Sequence, residues 1–202
     1  MEAEVITACE NVCRDFYWLG PVTDWLRNVA IILGVIIAAY QISAWRREHL
    51  YKARAEIALD LFNAANETAR HISSVRAVME SMPPGSTFPE RVEHKLRKYW
   101  DGYSVVEDLK RLLIKADAFL GRSDVVEAVE LLLTAVGETQ GTFLTLKGYD
   151  GKRTGDLDAD EFYSKLILLM HERKDDKIMI KQAEAMDTLR TILFPIIRLE
   201  RR

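Results

Sequence analysis

NVAIILGVIIAAYQISAW, residues 28–45, contains no charged side chain, and its part from Val29 to Tyr40 is apolar without interruption. Extended back to Thr23, the segment has the roughly 20 residues that an α-helix needs to cross a hydrocarbon core of ~30 Å. The chain as a whole is 49% hydrophobic and 29% charged, as soluble proteins are, so the prediction depends on this segment alone. We predict one transmembrane helix at residues 23–45.

Two other structures are compatible with an apolar segment near an N-terminus. A secretory signal peptide begins with basic residues and ends with small ones, whereas acids outnumber bases by five to two in residues 1–27 here, and bulky charged residues follow Trp45. A buried core helix has a similar composition and stays as the alternative.

The residues that flank the segment predict its orientation. Bases crowd the C-terminal side and are sparse on the other, with Arg46, Arg47, Lys52 and Arg54 against Arg14 and Arg27. The positive-inside rule then places the N-terminus outside and residues 46–202 in the cytoplasm, as in a protein of the bacterial inner membrane. Aromatic residues fit the two membrane interfaces: Trp18 and Trp25 on one side, Tyr40 and Trp45 on the other.

Charge differs between the two parts of the chain. Residues 1–45 hold five acids and two bases, and subtracting these from the 31 acids and 28 bases of the chain leaves 26 of each. An electroneutral cytoplasmic domain argues against a generic nucleic-acid binder. In the outer segment, residues 1–22, Cys9 and Cys13 fit either the apolar face of a short amphipathic helix or a disulfide in an oxidising compartment.

The remaining pattern is helical throughout. Between Asp24 and Met82 there is no proline and only Gly34 as a glycine, so the span is predicted to continue into a cytoplasmic helix without a break. Further helices are predicted at about 89–101, 103–120, 124–147, 162–172 and 178–193, with Gly121 as a C-cap and Ser123 or Asp124 as an N-cap. The predicted fold is all-α, one transmembrane helix continuous with a cytoplasmic multi-helix bundle.

Two faces of the predicted span favour self-association. Small residues at Ala30, Gly34 and Ala38, with Gln41 on the same stripe, allow a second helix to approach and to accept a hydrogen bond. Around such contacts a neighbouring face would line a narrow apolar constriction, formed by Asn28, Ile31, Val35 and Ile42. One helix per subunit requires four or more subunits for a pore, and a lone anchor with small residues by chance is the alternative.

Clusters of bases indicate a binding site for an anionic ligand, such as a nucleotide or a short oligonucleotide. The predicted residues are Arg91, Lys95, Lys98, Trp100, Lys147 and Arg153, and a further basic group lies at Arg173, Lys174, Lys177 and Lys181. Acids interleave with these bases, so solvated helix faces are the alternative.

The segment from Asp150 to Glu161 is similar to an EF-hand calcium loop at several positions. Asp150, Asp158 and Glu161 stand at the first, ninth and twelfth positions, but Lys152 replaces the third oxygen ligand. We therefore predict no metal, and a helix–loop–helix connection in which Asp158 is the N-cap.

Catalytic motifs are missing from the sequence. No histidine has a partner at metal-ligand spacing, and there is no Walker loop, nucleophile elbow or dinucleotide fingerprint. We predict that the chain is not an enzyme and that it needs no cofactor.

This layout of outer segment, single span and helical cytoplasmic domain resembles the small membrane effectors of bacterial anti-phage defence. Among them it is most similar to the channel partner of a nucleotidyltransferase-type signal synthase, which implies a nucleotide or oligonucleotide ligand. Two functions stay open: an oligomeric channel gated by a ligand or partner of the cytoplasmic domain, and a membrane anchor or scaffold that recruits a soluble partner.

Overall fold

A computed structural model describes residues 19–77, 85–152, 155–173 and 176–199, and six helices make up most of these residues. No strand occurs in these ranges, which confirms the predicted all-α fold. Residues 1–18 of the predicted outer segment, with Cys9 and Cys13, lie outside the described residues, and residues 19–22 are helical. The chain divides into two compact units, residues 1–50 and 51–202.

Helix α1 runs from Leu19 to Arg76 over 58 residues. Its first part has the length and composition of a membrane-crossing helix, with a mean hydropathy of 1.8 and none of its most apolar stretch buried. After Leu50 every third or fourth residue of α1 becomes buried, from Ala55 to Val75. The predicted continuity of the apolar segment with a bundle helix is therefore confirmed.

Five further helices complete the second unit: α2 Phe88–Asp101, α3 Ser104–Leu120, α4 Ser123–Lys147, α5 Leu157–Met170 and α6 Lys177–Leu199. Helix α4 is central, because α2, α3, α5 and α6 all pack on it. Its buried face includes Val129, Leu132, Val136, Phe143 and Leu146. Burial of such side chains is the main stabilisation of a bundle of this kind.

The helix ends show which of the predicted caps are present. Gly121 has the left-handed conformation, φ +60°, and donates its N–H to Asp117 O, so the predicted C-cap is confirmed. The N-cap of α4 is Arg122, and neither Ser123 nor Asp124 caps it as predicted. The Asp124 carboxylate instead pairs with Arg122 and accepts the N–H of Val125 at 2.9 Å.

Two other helix bounds differ from prediction. Helix α5 begins at Leu157 because Asp156 is the N-cap, accepting the N–H groups of Asp158 and Ala159; the predicted N-cap Asp158 is wrong. Helix α6 continues through Pro195 because Ile196 and Ile197 still pack against the core beyond it. A proline near a helix C-terminus removes one hydrogen bond, which that packing offsets.

Candidate functional site

The candidate span in α1 exposes both of its predicted faces. The small-residue stripe of Ala30, Gly34, Ala38 and Gln41 and the predicted pore-lining residues Asn28, Ile31, Val35 and Ile42 are all exposed. An alanine Cβ at position 34 would meet nothing within 4 Å. The side-chain amides of Asn28 and Gln41 have no hydrogen-bond partner among the described residues, whereas Ser43 donates to Ala39 O at 2.8 Å.

Two of the predicted anion-binding lysines lie against the C-terminal end of α1. Lys95 is buried, and its Nζ donates to Val75 O and Ala77 O, both at 2.9 Å. Lys98 donates to Ser74 O at 2.8 Å. The two ammonium groups thus satisfy carbonyls that a helix end leaves without partners and complement the negative end of its dipole.

The other predicted ligand residues differ from these lysines in exposure. Arg91, Trp100 and Lys147 are exposed, and Arg153 lies outside the described residues. Trp100 belongs to an aromatic cluster with Tyr99 and Tyr103, with ring centroids 5.2–5.6 Å apart.

His71 and Tyr99 hold this aromatic cluster against α1. His71 Nε2 lies 3.1 Å from Tyr99 O, and Gly102 leaves room for the His71 ring. Burial lowers the pKa of His71, although its hydrogen bond to Tyr99 acts in the opposite direction. Burial raises the pKa of the Tyr99 phenol far above its usual range, and its hydroxyl has no hydrogen-bond partner among the described residues. The cluster is a packed part of the bundle.

The EF-like segment is arranged as a helix–loop–helix connection. Asp150 accepts the backbone N–H of Lys152 at 2.9 Å, and Glu161 pairs with Lys165 on the next turn of α5 at 2.7 Å. That pairing lowers the pKa of Glu161. Asp158 is exposed, and among the described residues no group of three or more His, Cys, Asp or Glu side chains is placed to hold a metal ion.

A surface groove of about 630 Å³ opens beside α5 and the start of α6. Its floor is apolar, formed by Phe162, Leu166, Leu168 and Leu169. Phe162 and Leu168 are each 51% exposed, which is a large apolar surface to leave in water. The volume is within the range of small-molecule sites.

Among the described residues, the rim of the groove carries three cations, Lys165, Arg173 and Lys177, and one carboxylate, Asp176. Asp176 is already neutralised, because Arg76 lies beneath it with an Nη2 to Oδ2 distance of 2.7 Å and both side chains are buried. The groove therefore presents positive charge above an apolar floor.

Asp176 also organises the backbone of the rim. It accepts N–H groups from Arg173, Ile178 and Met179 at 2.9 Å, and so caps α6 while it holds Arg173 in place. Burial alone would raise the pKa of Asp176, but the Arg76 hydrogen bond and the backbone N–H groups outweigh it and lower that pKa.

Sequence reasoning found only part of this groove. It grouped Arg173 and Lys177 as basic residues but missed Lys165, and it did not predict the buried pair of Arg76 and Asp176. The available signal is that α5 carries more apolar residues than one buried face needs, so some of them have to be exposed.

No protein-family model matches this chain, and no curated protein or solved structure matches it either.

Proposed function

We propose that the protein is an oligomeric membrane channel or pore-forming effector, whose state is controlled by a ligand bound to the helical domain. The observation that carries this proposal is the exposed stripe of α1, where Gly34 and the Gln41 amide have no contact or hydrogen-bond partner among the described residues. Glycine inside a helix costs about 1 kcal/mol relative to alanine, and in the described part of the chain no neighbour of Gly34 requires it. The close approach of a second helix explains both the glycine and the unpartnered amide.

The predicted pore face adds a route for ions. At 100° per residue, Asn28, Ile31, Val35 and Ile42 lie on one face, about 100° from the small-residue stripe. In an assembly of four or more subunits the stripe packs on neighbours while this face lines an apolar constriction, which gates by wetting.

The same helix supports coupling to the domain. Helix α1 contains both the candidate span and the buried residues from Ala55 to Val75, and Arg76 at its end pairs with a rim residue of the groove. A ligand in the groove thus has a covalently continuous connection to the span. The setting we propose is bacterial anti-phage defence, with the N-terminus outside and the domain in the cytoplasm.

The test is the mass of the detergent-purified full chain together with ion flux in liposomes. We expect an oligomer of at least four subunits, which Gly34→Leu dissociates and Ile36→Leu, on another face, does not. Val35→Thr is expected to increase flux by easing wetting of the constriction, and Ile36→Thr to leave it unchanged. A monomeric wild-type protein, or flux equal in all variants, would refute the channel.

A membrane anchor that recruits a soluble partner is the second candidate, favoured by apolar side chains exposed on the domain. Ile114 on α3 is 73% exposed and Leu157 on α5 is 86% exposed, and a soluble partner would remove these apolar side chains from water. Replacing residues 28–45 by polyleucine separates the candidates, because an anchor keeps its function after this exchange and a channel loses it. Phage protection of expressing cells provides the readout.

A further inference from the structure

The groove beside α5 has an apolar floor and a cationic rim, and one class of ligand complements both. Its floor of Phe162, Leu166, Leu168 and Leu169 offers no side-chain hydrogen-bonding group, so it fits a hydrocarbon chain. Its rim offers three cationic groups, so it fits an anionic head.

The charges of the rim are available to a ligand. Arg173 is exposed, and its guanidinium has no ion pair among the described residues. Lys177 lies 3.7 Å from Glu138 Oε1, an oxygen that Lys181 already contacts at 2.7 Å. Lys165 pairs with Glu161 in an exposed i,i+4 contact, which is weak enough to be exchanged for a ligand.

We infer that the groove binds a single-chain anionic lipid, a long-chain fatty acid. Its carboxylate pairs with Arg173, flanked by Lys165 and Lys177, and its chain lies across the leucines of α5. Arginine binds a carboxylate through two parallel hydrogen bonds, which gives the head a defined place. This inference deepens the proposed function and rests on it in taking the groove as the ligand site.

The floor matches a hydrocarbon chain better than the nucleotide that the sequence predicted. Its apolar side chains offer no hydrogen-bond partner to a base or a ribose, so a nucleotide gains no specific polar contact there. Charge complementarity is satisfied equally by a phosphate and a carboxylate, but only an amphipathic anion covers the exposed Phe162 and Leu168.

The experiment uses the full chain in nanodiscs and a palmitic acid that carries a photoreactive diazirine on its chain. After illumination, mass spectrometry locates the label along the protein. We expect label in the peptide that contains residues 166–173. Unlabelled palmitate is expected to reduce that label about tenfold, whereas methyl palmitate, which has the same chain without the charge, and acetate, which has the head alone, do not compete.

Variants test each half of the groove. The charge reversal Arg173→Glu with Lys177→Glu is expected to lower labelling about tenfold, and Leu168→Gln, at a half-exposed floor position, to lower it as well. The matched control is Lys115→Glu with Arg190→Glu, which makes the same charge change at exposed positions without ion pairs among the described residues. Label only in residues 24–45, equal competition by methyl palmitate, or unchanged labelling of the double variant would overturn the inference.

The outcome is distinguishable from that of the proposed function. Oligomer mass and ion flux are measured on the same preparations. An oligomeric, conducting protein whose groove takes no label refutes the fatty-acid site and leaves the channel standing. A monomeric protein with palmitate bound in the groove refutes the channel and leaves the lipid site standing.

Discussion

Arg76, the last residue of α1, is the cation in the most buried ion pair of the described chain. Its Nε donates to Leu169 O at 3.0 Å, and its Nη2 to His171 O at 3.1 Å and to Asp176 Oδ2 at 2.7 Å. The Arg76 carbonyl in turn accepts the N–H of Glu172 at 2.9 Å. A buried guanidinium needs hydrogen-bond partners to replace water. Because these partners lie at and after the end of α5, Arg76 connects that end to the end of α1.

Removing one partner of this pair is expected to destabilise the protein strongly. Arg76→Met and Asp176→Asn each leave an uncompensated buried group, at a cost of about 3–5 kcal/mol, which lowers the thermal midpoint by roughly 10 °C. The thermal midpoint is measured by circular dichroism as the full chain unfolds in detergent. The control is Arg111→Met, which breaks an exposed pair with Asp108 and should shift the midpoint little. Similar shifts for Arg111→Met and Arg76→Met would contradict the assigned role.

The same pair predicts a pH dependence with a definite sign. Because the pKa of Asp176 is lower in the folded protein than in the unfolded chain, its stabilisation is complete above the unfolded value of about 3.9. It is lost as the pH falls through the lowered folded pKa. The difference in thermal midpoint between wild type and Asp176→Asn should therefore stay constant from pH 7 to about pH 5 and shrink below about pH 4. If the difference in thermal midpoint instead disappears between pH 7 and 6, the titrating group is not Asp176.

At the scale of helices, two lysines of α2 contact the C-terminal end of α1. Lys95 and Lys98 project from α2 onto carbonyls of the last turn of α1. The periodicity of α2 predicts a helix with bases on it, but which carbonyls those bases meet depends on how two helices cross. The sequence alone therefore places the lysines on the correct helix without distinguishing a cap from a ligand site.

Glycines provide a matched test of helix packing. An alanine Cβ at position 102 would overlap the ring of His71, so Gly102→Ala should cost roughly 1–3 kcal/mol through overpacking. Gly141 lies on the exposed face of α4 with nothing within 4 Å, so Gly141→Ala should gain about 1 kcal/mol of helix propensity. Thermal midpoints that move in opposite directions confirm the packing. Destabilisation by both substitutions would show that α4 has a neighbour at Gly141.

The helices themselves were predictable because their apolar residues recur every three or four positions, as along α3 with Val106, Leu109 and Ala116. Gly121 was predictable as a cap because the left-handed conformation favours glycine. The start of α5 was not predictable, because Asp156, Asp158 and Asp160 are equally good N-caps by residue type. Only the backbone conformation shows that Asp156 is the cap. The groove was not predictable either, because its rim depends on the buried contact between Arg76 and Asp176, 100 positions apart.

For the whole molecule, the arrangement of cysteines makes orientation testable without foreign tags. The chain has two cysteines, Cys9 and Cys13, and both precede the candidate span. The distribution of bases around the span predicts that this side lies outside. A maleimide that cannot cross the inner membrane should therefore label the reduced native protein in intact spheroplasts.

The reciprocal variant completes this prediction. Cys9→Ser with Cys13→Ser removes the label, and adding Ser164→Cys introduces a thiol at an exposed position of α5 that should react only after lysis. Lysis is the control for reactivity: full labelling of Ser164→Cys after lysis shows that its thiol reacts with the maleimide and was inaccessible before. The opposite pattern would invert the topology and put the groove outside the cell. Labelling of both proteins only after lysis would mean that α1 does not cross the membrane, and the channel would have to be abandoned with it.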